Sequence, residues 1–203
     1  MGLITMNFTL AQVRHRVGLA VSATLLSACA SVGPGPSATP GTDKGATVAA
    51  PSLGFFSHIK APGDREAVLK LGARGAQVFR CEKRDGQGVW VFRQPDAELL
   101  DDKGKVVGRH GANFSFEHSD GSRLVATIAA YDDAPKPTDL RWLLMTTRSF
   151  GTGAFEGVTH AQRVNTAGGT PPTSCDLALA GRVRRIDFTA DFIFYRPRGA
   201  SAQ

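Results

Sequence analysis

The stretch Arg185–Phe194, RIDFTADFIF, sets Ile186, Phe188, Ala190, Phe192 and Phe194 at every second position, with Asp187, Thr189 and Asp191 among the residues between them. Side chains alternate across a strand with a period of two, so this run presents one apolar and one polar face and belongs in a sheet packed on a core. From Leu53 onward the same grammar recurs as short apolar runs separated by turn signals, with no sustained helical period. AVLKL and AQVFRC flank GARG and read as a hairpin over Ala67–Cys81. GVWVFRQ follows Asp85-Gly86 as a second strand and turn, and KVVGRH follows DDKG. FSFEH and RLVATIAAY flank Ser119–Ser122, where Asp120-Gly121 readily takes the positive φ of a tight hairpin. Within DLRWLLMTTRSF, Asp139–Phe150, the run Trp142–Met145 fits a buried strand or one helical turn; β-branched Thr146 and Thr147 and the following Gly151 favour the strand. Many short strands with close turns predict an all-β fold, an antiparallel β-sandwich or barrel, in a single domain.

The first residues lie outside that pattern. Arg14 and Arg16 precede the apolar run Val17–Leu26, which is too short to span a bilayer and reads as a secretory signal over residues 1–28. It ends in Leu26-Ser27-Ala28-Cys29, which resembles the lipobox of bacterial lipoproteins, in which the cysteine becomes the lipidated N-terminus. Cleavage after SACA as an ordinary signal is the alternative, and a start at Met6 gives a more conventional signal. Ala30 follows the cysteine where an aspartate would retain the protein in the inner membrane. By resemblance this implies an outer-membrane lipoprotein facing the periplasm, held to the membrane by its lipid anchor. Residues 29–52 then carry little but Ala, Gly, Pro, Ser and Thr and read as a flexible tether reaching about 25 Å, with the β domain over 53–203.

Export changes the meaning of charge and of cysteine. Loss of Arg14 and Arg16 lowers the formal net charge from +6 to +4, and the remaining Lys and Arg residues are scattered, so a nucleic-acid partner is not expected. With Cys29 lipidated, Cys81 and Cys175 remain as an even pair in an oxidising compartment, which predicts a disulfide; two free buried thiols are the alternative.

Chemical signatures are mostly absent. The chain has no P-loop, no Gly-x-Ser-x-Gly elbow, no His-Glu-x-x-His and no Cys-x-x-Cys, and no cofactor is implied. GTGAFEG, Gly151–Gly157, lacks the strand-to-helix context of a phosphate loop and reads as a loop or bulge. His110 and His118 lie eight apart with Glu117 beside them, a set that a metal or a base mechanism would use. On one strand, however, Glu117 and His118 face opposite ways, and structural histidines are the competing reading. Trp90, Phe92, Phe114, Phe116, Trp142, Phe188, Phe192 and Phe194 fit either a plain core or the lining of a ligand cavity.

The segments GARGAQVFRC, VWVFRQPDAELLDDKGKVVGRH, DGS, WLLM and HAQRVNTAGGTPPTSC occur in an order and spacing that resembles the DUF3455 family, over about Pro62–Tyr195. After His110 this chain reads Asn113-Phe114-Ser115-Phe116-Glu117 where relatives tend to carry a Gly-Pro turn, keeping the spacing and the acid. The resemblance implies that Cys81 and Cys175 are the family's cysteines, and marks His110, Glu117, Asp120, Arg163 and Asn165 as candidate ligand-binding positions. Some fungal relatives carry enzyme names, yet no dinucleotide fingerprint is present to support a dehydrogenase.

Three functions follow as expectations. The first is an anchored envelope domain that binds an unknown small molecule or envelope partner. The second is a periplasmic hydrolase or metal-assisted enzyme using His110 with Glu117, and the third a purely structural envelope protein. HAQRVNT is expected to be a strand with Ala161, Arg163 and Asn165 on one face and Gln162, Val164 and Thr166 on the other, and AGGTPP the turn after it, stapled by Cys175.

Overall fold

A computed structural model describes residues 48–200; the signal segment, Cys29 and most of the tether lie outside them. The described residues hold eight strands: β1 Arg65–Arg84, β2 Gln87–Leu100, β3 Val106–Gly111, β4 Ser115–His118, β5 Arg123–Asp132, β6 Trp142–Phe150, β7 His160–Gly168 and β8 Val183–Pro197. Each pairs antiparallel with its neighbour in the chain and β8 returns to pair with β1, so the sheet closes into an up-and-down barrel. Closure decides between the two all-β architectures the sequence left open, since a barrel has no free sheet edge.

GARG is not a turn. β1 runs unbroken for 20 residues, and the expected hairpin over Ala67–Cys81 is one strand paired to β2 on one side and β8 on the other. Gly75 serves close approach instead: a Cβ there would lie 2.4 Å from the Cα of Ala97 on β2. The β1–β2 turn comes at Asp85-Gly86, both with positive φ, as a two-residue hairpin loop requires. The run from Trp142 is strand, as Thr146 and Thr147 suggested.

Alternation sorts the side chains into inside and outside. Phe188, Ala190, Phe192 and Phe194 of β8 point into the barrel with Phe116, Leu124 and Met145, while Asp187 and Thr189 face solvent. A second apolar cluster lies on the outer face, where Ile59 and partly buried Val48 and Leu53 pack on Leu144, Val164, Ile193 and Tyr195. The Tyr195 hydroxyl donates to Gln162 Oε1, and Gln162 Nε2 donates to the Ile59 carbonyl, which pins the N-terminal segment to β7 and β8. This cover explains why β7 is buried on both faces.

The two ends of the barrel differ. At one end the β6–β7 loop folds inward and seats Phe155, 0% exposed, against Phe116 and Phe194. Asp120 in the β4–β5 turn holds that plug, accepting from Ala154 N at 2.7 Å while its other oxygen accepts from Ser122 N and Oγ. Burial opposes ionisation of Asp120, but these donors and His118 outweigh it and hold the carboxyl well below the ordinary carboxylate range.

At the opposite end the β7–β8 loop crosses the β1–β2 hairpin and is fixed there by a Cys81–Cys175 disulfide. Cys175 N also donates to Gly88 O at 3.0 Å, and a Cβ on Gly88 would meet the Cys175 carbonyl oxygen at 2.1 Å. The bond joins residues 94 apart, so it removes much of the freedom of the unfolded chain. Changing both cysteines to serine is expected to lower unfolding free energy by about 2–4 kcal/mol in urea titrations. Equal midpoints for the oxidised protein and the double variant would refute this.

Candidate functional site

The unplugged end opens into a cavity of about 1010 Å³. Its walls are Phe79 of β1, Phe92 of β2, Phe114, Ile128 of β5 and Leu143 of β6, and its rim is the β5–β6 loop from Asp133 to Arg141. These positions come from five separated parts of the chain, four on strands and Phe114 in the 3-10 turn Ala112–Phe114 between β3 and β4. A largely apolar concavity of this size, with a few polar groups converging on it, is the usual form of a small-molecule site.

The rim is pinned to β7. Leu140 N donates to Gly168 O at 2.9 Å, Gly168 N donates to Asp139 Oδ1 at 2.8 Å, and Thr166 Oγ1 donates to Leu140 O at 2.6 Å. Gly168 and Gly169 both have positive φ, and a Cβ on Gly169 would lie 2.5 Å from the Leu140 side chain. The paired glycines of AGGTPP therefore let the chain turn while the rim loop lies against it.

Arg163 forms part of the inner wall. It sits on β7 between Leu143 and Phe192 in register and is 7% exposed. Its Nε and Nη2 both donate to Arg141 O, at 3.2 and 2.9 Å. Among the described residues no carboxylate lies within ion-pair distance of it, and burial alone draws its pKa down to about 10. Gln77, on β1, lines the same space; its Nε2 is buried and has no hydrogen-bond partner among the described residues. The rim charges are matched differently, with Arg141 Nε 3.0 Å from Asp133 Oδ1 and its guanidinium over the Tyr131 ring.

Of the aromatics singled out from the sequence Phe92 and Phe114 line this cavity, whereas the other candidate polar residues lie apart from it. His110 is buried in the barrel core, stacked on Phe116 with ring centroids 4.1 Å apart, and its Nδ1 lies 2.8 Å from Ser115 O. Because a carbonyl only accepts, Nδ1 carries the proton. Burial, with Arg163 a lesser cause, depresses its pKa to about 3 against the Ser115 hydrogen bond, so it is neutral. Glu117 is exposed on the outer face, one residue beyond the Phe116 that pairs with His110. The two side chains are therefore on opposite sides of the sheet and cannot share a proton or a water, which a His110–Glu117 mechanism requires. His118 lies with Asp120 at the plugged end, 2.9 Å apart.

Asn165 departs from the expected β7 alternation. It takes a left-handed φ of 51° at a register shift between Val164 and Ala167, and its Nδ2 donates to Asp191 Oδ2 on the exposed side of the sheet. The bulge resets the pattern, so Arg163 faces inward and Asn165 does not. Gln77, Phe79 and Leu143 were not singled out from the sequence; only their shared inward orientation on separate strands identifies them.

Fold and cavity together define an up-and-down β-barrel that is plugged at one end and hollow at the other. The chain belongs to the family described as a protein of unknown function, DUF3455, whose model matches residues 62–196. No curated protein and no solved structure matches it significantly.

The buried imidazole makes stability depend on pH. Below pH 6.5 the unfolded chain protonates His110 while the folded chain refuses the proton down to about 3, so this stabilisation is full above pH 6.5 and is lost as pH falls through that window. Between pH 6.5 and 4.5 wild type should lose up to about 2–3 kcal/mol more than His110→Gln in urea titrations. Half-buried His160, depressed mainly by desolvation, contributes to both proteins alike. Parallel pH profiles would show that His110 is not the source.

Proposed function

We propose that this protein is exported, anchored in the bacterial cell envelope through lipid on Cys29, and binds a small, largely apolar molecule inside its barrel. The observation that carries the binding reading is the cavity of about 1010 Å³, walled by Phe79, Phe92, Phe114 and Leu143 and closed below by the packed core. A structural envelope protein has no need of it: apolar side chains large enough to fill the upper barrel would add burial and stability. Export is supported by the apolar segment before Cys29 and by the disulfide, which persists in an oxidising compartment. An enzyme using His110 with Glu117 finds no support, because the sheet divides the two side chains.

Two experiments test the two halves. The uncharged probe N-phenyl-1-naphthylamine should bind wild type at one site with a rise in fluorescence, and Ile128→Trp, which fills the cavity from a partly exposed wall position, should weaken it at least about tenfold. Equal affinity for the two proteins would place the probe elsewhere and remove the support for a barrel site. Radiolabelled palmitate should enter wild type and not Cys29→Ala; equal incorporation would sink the anchor.

A further inference from the structure

Arg163 and Gln77 hold donor capacity at the inner wall that the protein itself does not use. The guanidinium gives two of its hydrogen bonds to one carbonyl, Arg141 O, and meets no carboxylate among the described residues. Gln77 Nε2 has no partner among them at all, although it is buried. Both side chains line the same cavity, so the unused donors and the uncompensated charge face one space. The acids that could have answered Arg163 are engaged at the rim: Asp133 pairs with Arg141, and Asp139 accepts from Gly168 N. His110, buried in the core and bonded to Ser115 O, is an imidazole and supplies no negative charge.

We infer that the molecule held in the barrel is an anionic amphiphile, its carboxylate or similar oxyanion received by Arg163 at the inner wall, with Gln77 a further donor lining the same cavity, and its apolar body lying against Phe79, Phe92 and Phe114. This rests on the reading of the cavity as a ligand site and assigns that site its chemical class. A carboxylate accepts charge-assisted hydrogen bonds from a guanidinium, and the amide N–H of Gln77 is a second donor for another polar group of the same molecule. An apolar body seated against the aromatic and aliphatic walls displaces water from around Arg163, which strengthens a charge-assisted hydrogen bond and protects it from salt. A cationic molecule would meet the buried guanidinium, and a neutral one would leave its charge unanswered.

Matched probes separate this inference from the reading it rests on. Decanoate, decan-1-ol and decyltrimethylammonium share a chain and differ in head group; 2-naphthoate and 2-naphthalenemethanol repeat the comparison on a flat aromatic body. By calorimetry with the disulfide-intact protein, each carboxylate should bind at least about tenfold tighter than its alcohol, with the cation weakest. That preference should persist in 0.5 M NaCl and should disappear in Arg163→Met while the alcohols still bind. Gln77→Leu, which leaves Arg163 and the rim bonds intact, should retain the carboxylate preference. Alcohols binding wild type as tightly as carboxylates would overturn the anion inference and leave the cavity reading standing. A preference abolished by salt would assign it to exposed charges and likewise overturn the inference. Failure of every probe to bind would overturn both readings. The wild-type comparison decides the matter even if Arg163→Met does not fold.

Discussion

The pairing of β8 with β1, from Arg65 opposite Pro197 to Arg80 opposite Val183, is the constraint on which the rest of the structure depends. It converts a meander of hairpins into a ring and fixes the circumference, so the interior becomes a finite space that side chains must fill or leave open. In the lower half they fill it. Phe116, Phe192, Phe194 and Phe155 meet with centroids 4.9 to 6.5 Å apart, and Ala73, Ala97, Ala126, Ala161 and Ala190 around them give the rings room. Edge-to-face geometry prevails among these rings, as their quadrupoles prefer. In the upper half Phe79, Phe92 and Leu143 line the wall without closing the space. Shape thus follows from where large and small residues fall along strands of one repeated pattern.

The loops at the two ends serve that division. The β6–β7 loop enters the barrel because Asp120 captures Ala154 N and Ser122 Oγ receives Phe155 N at 3.2 Å, turning a glycine-rich connection into a plug. A Cβ at Gly153 would lie 2.4 Å from Asp120 Oδ2, so this glycine is placed by the carboxylate. The loops at the other end are tied outward: the disulfide and Gly88 hold one beside the β1–β2 hairpin, and β7 holds the rim. Similar short polar sequences therefore seal one mouth and brace the other.

Much of this was legible in the sequence, and what was not has identifiable causes. Strict alternation in β8 and the Asp-Gly turns gave the strands and two hairpins, because period-two burial and positive φ leave local signatures. GARG misled because glycine marks both a turn and a close approach between strands; only the position of Ala97 across from Gly75 tells them apart. Asn165 misled because a bulge shifts every later side chain to the other face without a local residue pattern that demands it. The family-derived residues were polar positions, whereas the cavity is mostly apolar. Of His110, Glu117, Asp120, Arg163 and Asn165, only Arg163 lines it. Closure of the ring brings residues 77, 92, 128, 143 and 163 together, and no short stretch of sequence encodes that meeting.

For Arg163 the cost of burial and the return from hydrogen bonds are of similar size. Taking a guanidinium out of water costs several kcal/mol, while hydrogen bonds from a charged donor return about 1.5–3 kcal/mol each, and here two converge on a single carbonyl. Holding Arg141 O does not require a charge, since the rim is already fixed to β7 through Thr166, Gly168 and Leu140. An apolar residue at this position would continue the packing of Leu143 and Phe192 into the upper barrel and narrow the cavity. The guanidinium does the opposite, keeping a positive charge on the wall of a space that the protein's own side chains leave open. On the binding reading proposed above, this charge and the unused donor that Gln77 presents to the same cavity are met by what enters it.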